Sequence, residues 1–215
     1  MPGRRQWRGW IAAAAALLVM AIIGVWVVRP VRERPAPAAV PTGVVQPPVP
    51  AAGPEYHRDS LVLRDGRYYL PGDPAPFNGV VTEAYPNGLR LYRCGVANGL
   101  LEGLSEGWYS NGQKQVEEPF HAGVSHGLRT KWYMSGQKLA EANIVSGRLD
   151  GVFLRWHENG TLAEEIHLRD GQPEGLSRAY GPDGHRLAEA QMKGGEVVER
   201  TTWPAGQGPA VLSSP

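Results

Sequence analysis

Residues 127–136 read Gly-Leu-Arg-Thr-Lys-Trp-Tyr-Met-Ser-Gly, and residues 151–160 read Gly-Val-Phe-Leu-Arg-Trp-His-Glu-Asn-Gly, the same pattern 24 positions later. The period extends in both directions. Gly79, Gly103, Gly127, Gly151 and Gly175 form one series, and Gly88, Gly112, Gly136, Gly160 and Gly184 a second. Gly99, Gly123, Gly147, Gly171 and Gly195 form a third. Such regularity means that one supersecondary unit is copied and stacked, because a single copy cannot bury its own apolar face. A stacked array offers an extended surface rather than one asymmetric pocket, so the period points to binding rather than catalysis.

Within a copy, the turn signals are Asn87-Gly88, Asn111-Gly112, Ser135-Gly136, Asn159-Gly160 and Asp183-Gly184. Such pairs supply the positive φ of a tight hairpin turn. A strand of about seven residues precedes each turn and another follows it, with a looser connection through the third glycine series. Glycine falls too often for helix, and no 3.6-residue periodicity persists. The expected fold is all-β: an elongated single-layer antiparallel meander of hairpins, five repeats over 77–198.

The flanks differ in kind. Residues 1–9 are a basic flank, and 10–28 are 19 apolar or small residues without a charge. As a helix this run spans about 28 Å, close to the hydrocarbon core. It exceeds the ~7–15 residue core of a cleaved signal peptide, so an uncleaved signal anchor is expected. Arg4, Arg5 and Arg8 with the amino terminus outweigh Arg29, Arg32 and Arg34. That excess puts the N-terminus in the cytoplasm and the repeats in the periplasm or outside a bacterial inner membrane, single-pass. Residues 29–54 hold eight prolines and read as a polyproline-II spacer. Residues 55–76 are expected to form a capping hairpin around Asp65-Gly66, and 199–215 a terminal strand and a disordered tail.

The formal charge of +1 hides a split, since 1–34 carry six arginines against Glu33 while 77–198 carry 12 basic and 15 acidic residues. The repeats are therefore not an electrostatic nucleic-acid binder. Cys94 is the only cysteine, which excludes an intrachain disulfide and a cysteine-rich zinc site. The six histidines fall at differing positions without a metal-ligand spacing. No triad, phosphate loop or nucleotide fingerprint occurs. Neither catalytic residues, a cofactor nor a metal is expected.

The spacing G-x4-W-Y-x-[NS]-G, followed by a glutamate, resembles a MORN-variant repeat, in the form found in bacterial YwqK-family antitoxins. The likeness covers 61–198 and includes Arg67-Tyr68-Tyr69 and Pro76-Phe77-Asn78-Gly79. It implies a hairpin array with an interaction role and carries no catalytic residues.

Two aromatic columns follow from the period. Trp108, Trp132, Trp156 and Tyr180 form one, expected as a structural ladder. Tyr85, Tyr109, Tyr133 and His157 form the next, expected on the opposite face as the candidate binding face. Equivalent rings lie about 9.6 Å apart, so fillers are needed, with Leu139, Leu187 or the Val80, Leu104, Leu128, Val152, Leu176 series as candidates. An acidic column, Glu117, Glu141, Glu165 and Glu189, is expected to be solvated or paired with Lys131, Arg155 and Arg178. The sequence thus points to a non-catalytic, membrane-tethered scaffold for a protein partner. The alternative is a module for cell-wall glycan or lipid headgroups.

Overall fold

The computed structural model describes residues 53–210. The expected anchor at 10–28, nearly all of the spacer and 211–215 lie outside the described residues. Among the described residues, no helix is long and apolar enough to cross a membrane.

The described residues open with β1 (Glu55–His57), a 3-10 turn (Arg58–Ser60), β2 (Val62–Arg64) and β3 (Arg67–Tyr69). The array follows as β4 (Gly79–Ala84), β5 (Arg90–Ala97), β6 (Leu100–Trp108), β7 (Lys114–His121), β8 (Val124–Ser125) and β9 (Gly127–Trp132). It continues through β10 (Lys138–Val145), β11 (Arg148–Trp156), β12 (Leu162–Arg169), β13 (Gln172–Tyr180), β14 (Arg186–Lys193) and β15 (Glu196–Thr202). From β4 to β15 each strand pairs with its sequence neighbour, apart from the short β8, which pairs β7 beside the β7–β9 pairing. This is the expected meander.

The two hairpin ends are built differently from the expectation. At Tyr109–Gly112 the Gly112 amide donates to the Tyr109 carbonyl and the Tyr109 amide to the Gln113 carbonyl, at 2.9 Å each. Only the glycine has positive φ there, 84°. This is a three-residue loop closed by a left-handed glycine. The asparagine works through its side chain, as Asn111 Oδ1 accepts from the Gln113 amide at 3.1 Å. The tight two-residue turn lies at the opposite end, where a looser connection was expected. Asn98, Ala122, Ser146 and Asp170 all have φ near 50°, each followed by a glycine with positive φ. Ala122 and Ser146 hide this turn in the sequence, because neither is a left-handed residue by preference.

Two segments lie outside the repeat and depart from the expectation. β1 pairs in parallel with β4, Tyr56 opposite Val81. Behind it the β2–β3 hairpin turns at Asp65-Gly66 as the sequence suggests. Phe77, Val81 and Val96 are buried under Tyr56, Leu61, Tyr68 and Leu70, so the first repeat gains the apolar neighbour it otherwise lacks. At the other end, 203–210 are not a loose tail. The Trp203 amide donates to the Leu187 carbonyl and the Arg186 amide to the Pro209 carbonyl, both at 2.9 Å. The Arg186 guanidinium lies 5.8 Å from the Trp203 ring centre. An arginine–tryptophan stack and two backbone hydrogen bonds offset the entropy of ordering this segment.

The pleat divides the sheet into two faces. Arg129, Ala142, Phe153, Ile166, Ser177 and Ala190 are consecutive cross-strand partners on one of them. This face is buried around Ala140, Ala142, Phe153, Ile166 and Leu168. Burying Phe153 or Ile166 contributes roughly 1.5–3 kcal/mol each. Its alanines and serines leave little volume to fill, which suits a stretch of sheet beyond the β2–β3 hairpin, the one other sheet among the described residues. The opposite, open face carries Thr130, Glu141, Leu154, Glu165, Arg178 and Glu189 in the same order of strands.

Candidate functional site

The tryptophans end their strands on the open face, each beside a bulge, as between Gly107 and Trp108 or Arg155 and Trp156. Trp108, Trp132 and Trp156 are half-buried, and Tyr180 is the fully buried member at 6% exposure. Cationic side chains lie over rings of this column. Lys114 Nζ sits 4.8 Å from the Trp108 ring centre and Lys138 Nζ 5.3 Å from that of Trp156. Arg90 stacks on Trp108 at 5.6 Å and Arg186 on Tyr180 at 5.9 Å. A cation placed over a ring face is attracted by its quadrupole. Leu139 is the extra residue of the Lys138/Ala140 bulge and packs against the buried core instead. Leu128 and Val152 stand out at 55% and 41% exposure.

The second aromatic column ties the repeats together. The hydroxyls of Tyr85, Tyr109 and Tyr133 donate to the carbonyls of Trp108, Trp132 and Trp156 at 2.8, 2.8 and 2.9 Å. His157 Nε2 lies 2.9 Å from the Tyr180 carbonyl. A carbonyl only accepts, so Nε2 carries the proton. Asn87, Asn111 and Asn159 run parallel to this column. Their Nδ2 groups donate to the carbonyls of Ser110, Met134 and Pro182 in the following copy, at 3.2, 3.0 and 2.8 Å. All four residues of the column are half-buried, and the three hydroxyls and the His157 Nε2 each hold a carbonyl of the next copy. Tyr85, Tyr109, Tyr133 and His157 therefore act as struts between hairpins, a part that sequence reasoning did not foresee.

A further periodic column escaped the sequence reading. Asn78 Oδ1, Glu102 Oε2 and Glu174 Oε2 accept from the backbone amides of Asn98, Ala122 and Gly194 at 2.7 Å each. Asp150 accepts from the Asp170 amide at 3.1 Å, and His126 Nδ1 from the Ser146 amide at 3.4 Å. The signal was an acceptor of changing identity immediately before each glycine of the first series. Each one holds the first residue of the next tight turn.

The acidic column is paired, though not wholly with the expected partners. Arg178 bridges Glu165 at 3.1 Å and Glu189 at 3.0 Å, as expected. Glu117 pairs with Lys114 at 2.9 Å and Glu141 with Lys138 at 2.6 Å. Lys131 and Arg155 stand opposite Ala140, on the buried face, and cannot reach that column. Arg155 pairs there with Glu164, whose side chain is 5% exposed, at 2.8 Å. Burial, with Arg129 beside it, pushes the Lys131 amine down to about 8.

A third row on the open face carries no formal charge. Leu128 stands opposite Asn143, Val152 opposite His167 and Leu176 opposite Gln191. Glycines of the first series leave room beneath it. A Cβ at Gly151 would meet Asn143 Cβ at 3.9 Å, and one at Gly127 would strike Pro119 Cγ at 2.8 Å. Exposure varies along this repeat position, from Val80 at 1% to Leu128 at 55%. Parity puts it on the tryptophan side, and the register puts Asn143, His167 and Gln191 opposite it.

Among the described residues, no group of three or more His, Cys, Asp or Glu side chains is placed to hold a metal ion. A recess of about 300 Å³ beside Tyr56, Leu70, Asp73 and Phe77 holds one carboxylate, which already accepts from the Ala75 amide at 2.8 Å. Burial pushes the Cys94 thiol up, away from the reactive thiolate.

Residues 101–122 and 149–170 match the MORN repeat variant. The two matches begin 48 residues apart, two turns of the 24-residue period. No curated protein matches the chain. Repeats of this kind are generally protein- or membrane-interaction modules and are typically non-catalytic. Two of the repeats thus match the MORN repeat variant, and along the array each β-hairpin is laced to the next.

Proposed function

We propose that this protein is a non-catalytic protein-interaction scaffold, tethered to a bacterial inner membrane through 10–28 and presenting its repeats on the outer side. The observation that carries the reading is the uncharged row of Leu128, Val152 and Leu176. It recurs over three successive copies, and two of its members keep 55% and 41% of their surface in water. An apolar row that the fold does not use for its own core marks an interaction surface. The contact falls on this row rather than on the tyrosine column, whose hydroxyls are spent between hairpins.

The likeness to YwqK-family antitoxins fits the same chemistry, a partner protein held by a repeat surface. With the repeats outside, that partner is an envelope protein rather than a cytoplasmic toxin. The glycan or lipid-headgroup alternative requires an open ring platform, and Lys114 and Lys138 lie over the faces of Trp108 and Trp156.

The test is affinity capture by the full-length chain from detergent-solubilised membranes, wild type against Leu128→Glu with Val152→Glu. Both residues are exposed, so the variant keeps its fold, checked by circular dichroism. Proteins captured by the wild type and lost from the variant support the reading. An unchanged captured set removes the row from the interface.

A further inference from the structure

The row of Leu128, Asn143, Val152, His167, Leu176 and Gln191 has a period, and the period selects a ligand. Equivalent residues advance by two strands, about 9.6 Å. A polyproline-II helix completes a turn in three residues of ~3.1 Å, about 9.3 Å. An α-helical heptad advances about 10.5 Å, so it falls out of register three times faster. The sheet also twists by roughly 20–25° per strand. A polyproline-II segment has no internal hydrogen bonds to hold it straight and follows such a twist.

The chemistry along the row agrees with the metric. Apolar ridges at Leu128, Val152 and Leu176 alternate with carboxamides at Asn143 and Gln191. Both amides belong to exposed residues. A polyproline-II chain presents apolar rings and unpaired backbone carbonyls, the groups that such ridges and donors complement. His167 Nδ1 lies 2.7 Å from the Leu176 carbonyl and so carries its proton. That hydrogen bond holds the ring between Val152 and Leu176. The row bears no formal charge, which suits a partner segment without Lys, Arg, Asp or Glu.

We infer that the uncharged row of the open face binds an uncharged proline-rich segment of the partner protein in polyproline-II form, one turn per repeat. This inference rests on the interaction reading above and deepens it.

The experiment uses the full-length chain in detergent micelles. The probe is a fluorescein-labelled peptide of Pro-Pro-Ala triplets, about twelve residues long and so about 37 Å extended. A Gly-Ser-Ala peptide and an amphipathic Leu/Lys helix of equal length are the comparisons. The expected result is saturable anisotropy for the proline peptide alone. In Val152→Glu with Asn143→Ala its affinity falls about tenfold or more, with an unchanged unfolding midpoint. No binding of the proline peptide, equal binding to the variant, or tighter binding of the helix overturns the inference. If the proline peptide fails while membrane capture still depends on Leu128 and Val152, the scaffold reading stands and only the ligand class falls. If capture is independent of them as well, both fall.

Discussion

The Tyr133 hydroxyl donates to the Trp156 carbonyl, 2.9 Å away and 23 residues later in the chain. The bond joins one hairpin to the next across the end of the sheet. Tyr109 and Tyr85 make the same bond one and two copies earlier. Removing the hydroxyl leaves a half-buried carbonyl short of a donor, at a cost of about 1 kcal/mol. Tyr133→Phe and Tyr109→Phe are each expected to lower stability by that amount in urea denaturation. Losses within error of zero would mean that water replaces the hydroxyl and that the struts carry no stability.

Burial ranks the tryptophan column differently from position in the array. A central copy has a neighbour on each side, so position alone would rank its tryptophan above the terminal Tyr180. In the structure Tyr180 is 6% exposed, while Trp156 is half-buried under Lys138. Tyr180→Ala is expected to cost about 3 kcal/mol, and Trp156→Ala about half as much despite its larger ring. Guanidinium unfolding of the two variants measures the order. A larger loss at Trp156 would contradict it.

Ala122 sits at φ 49°, where an L-residue is strained. Ala122→Gly relieves the strain and is expected to raise stability by about 0.5 kcal/mol, net of glycine's greater freedom in the unfolded chain. A thermal scan reads this as an upward shift of the midpoint. A downward shift would mean that the turn is not left-handed.

Lys131 gives a pH signature. Its amine is held at about 8 in the folded chain against 10.5 in the unfolded one. Below pH 8 both states are protonated and the folded state bears the full cost of a partly buried charge. Between pH 8 and 10.5 the unfolded state binds more protons, so this group's contribution to stability rises with pH. Lys131→Met is therefore expected to be more stable than wild type at pH 7, with the gap narrowing toward pH 10. Comparing the two proteins removes the common titration of Tyr92, whose phenol burial pushes up. A gap that widens with pH would reverse the sign and refute the burial.

Glycine periodicity made the meander legible, because a glycine every few residues forbids helix and its spacing marks hairpin turns. Turn type was not legible where Ala122 and Ser146 adopt φ near 50°, since backbone context overrides their preference. The acceptor column from Asn78 to Glu174 was hidden by its changing side chains, which share a lone pair rather than a residue type. The candidate surface was half legible. The Leu128 and Val152 series was visible, but only the register, with Asn143 and His167 opposite, shows it standing apart from the tryptophans. The parallel strand at Glu55–His57 and the clasp at Trp203 lie outside the period, so the repeat gave no signal for them.

The central claim is that the uncharged row touches a partner protein. The direct measurement is site-specific photo-crosslinking in intact cells, with the crosslinker at Val152 and, separately, at Val197. Both sites are exposed, at 41% and 53%, but Val197 lies off the row on the last strand. The account predicts a discrete protein adduct from Val152 and none from Val197. No adduct at Val152, or equal adducts at both positions, would contradict it.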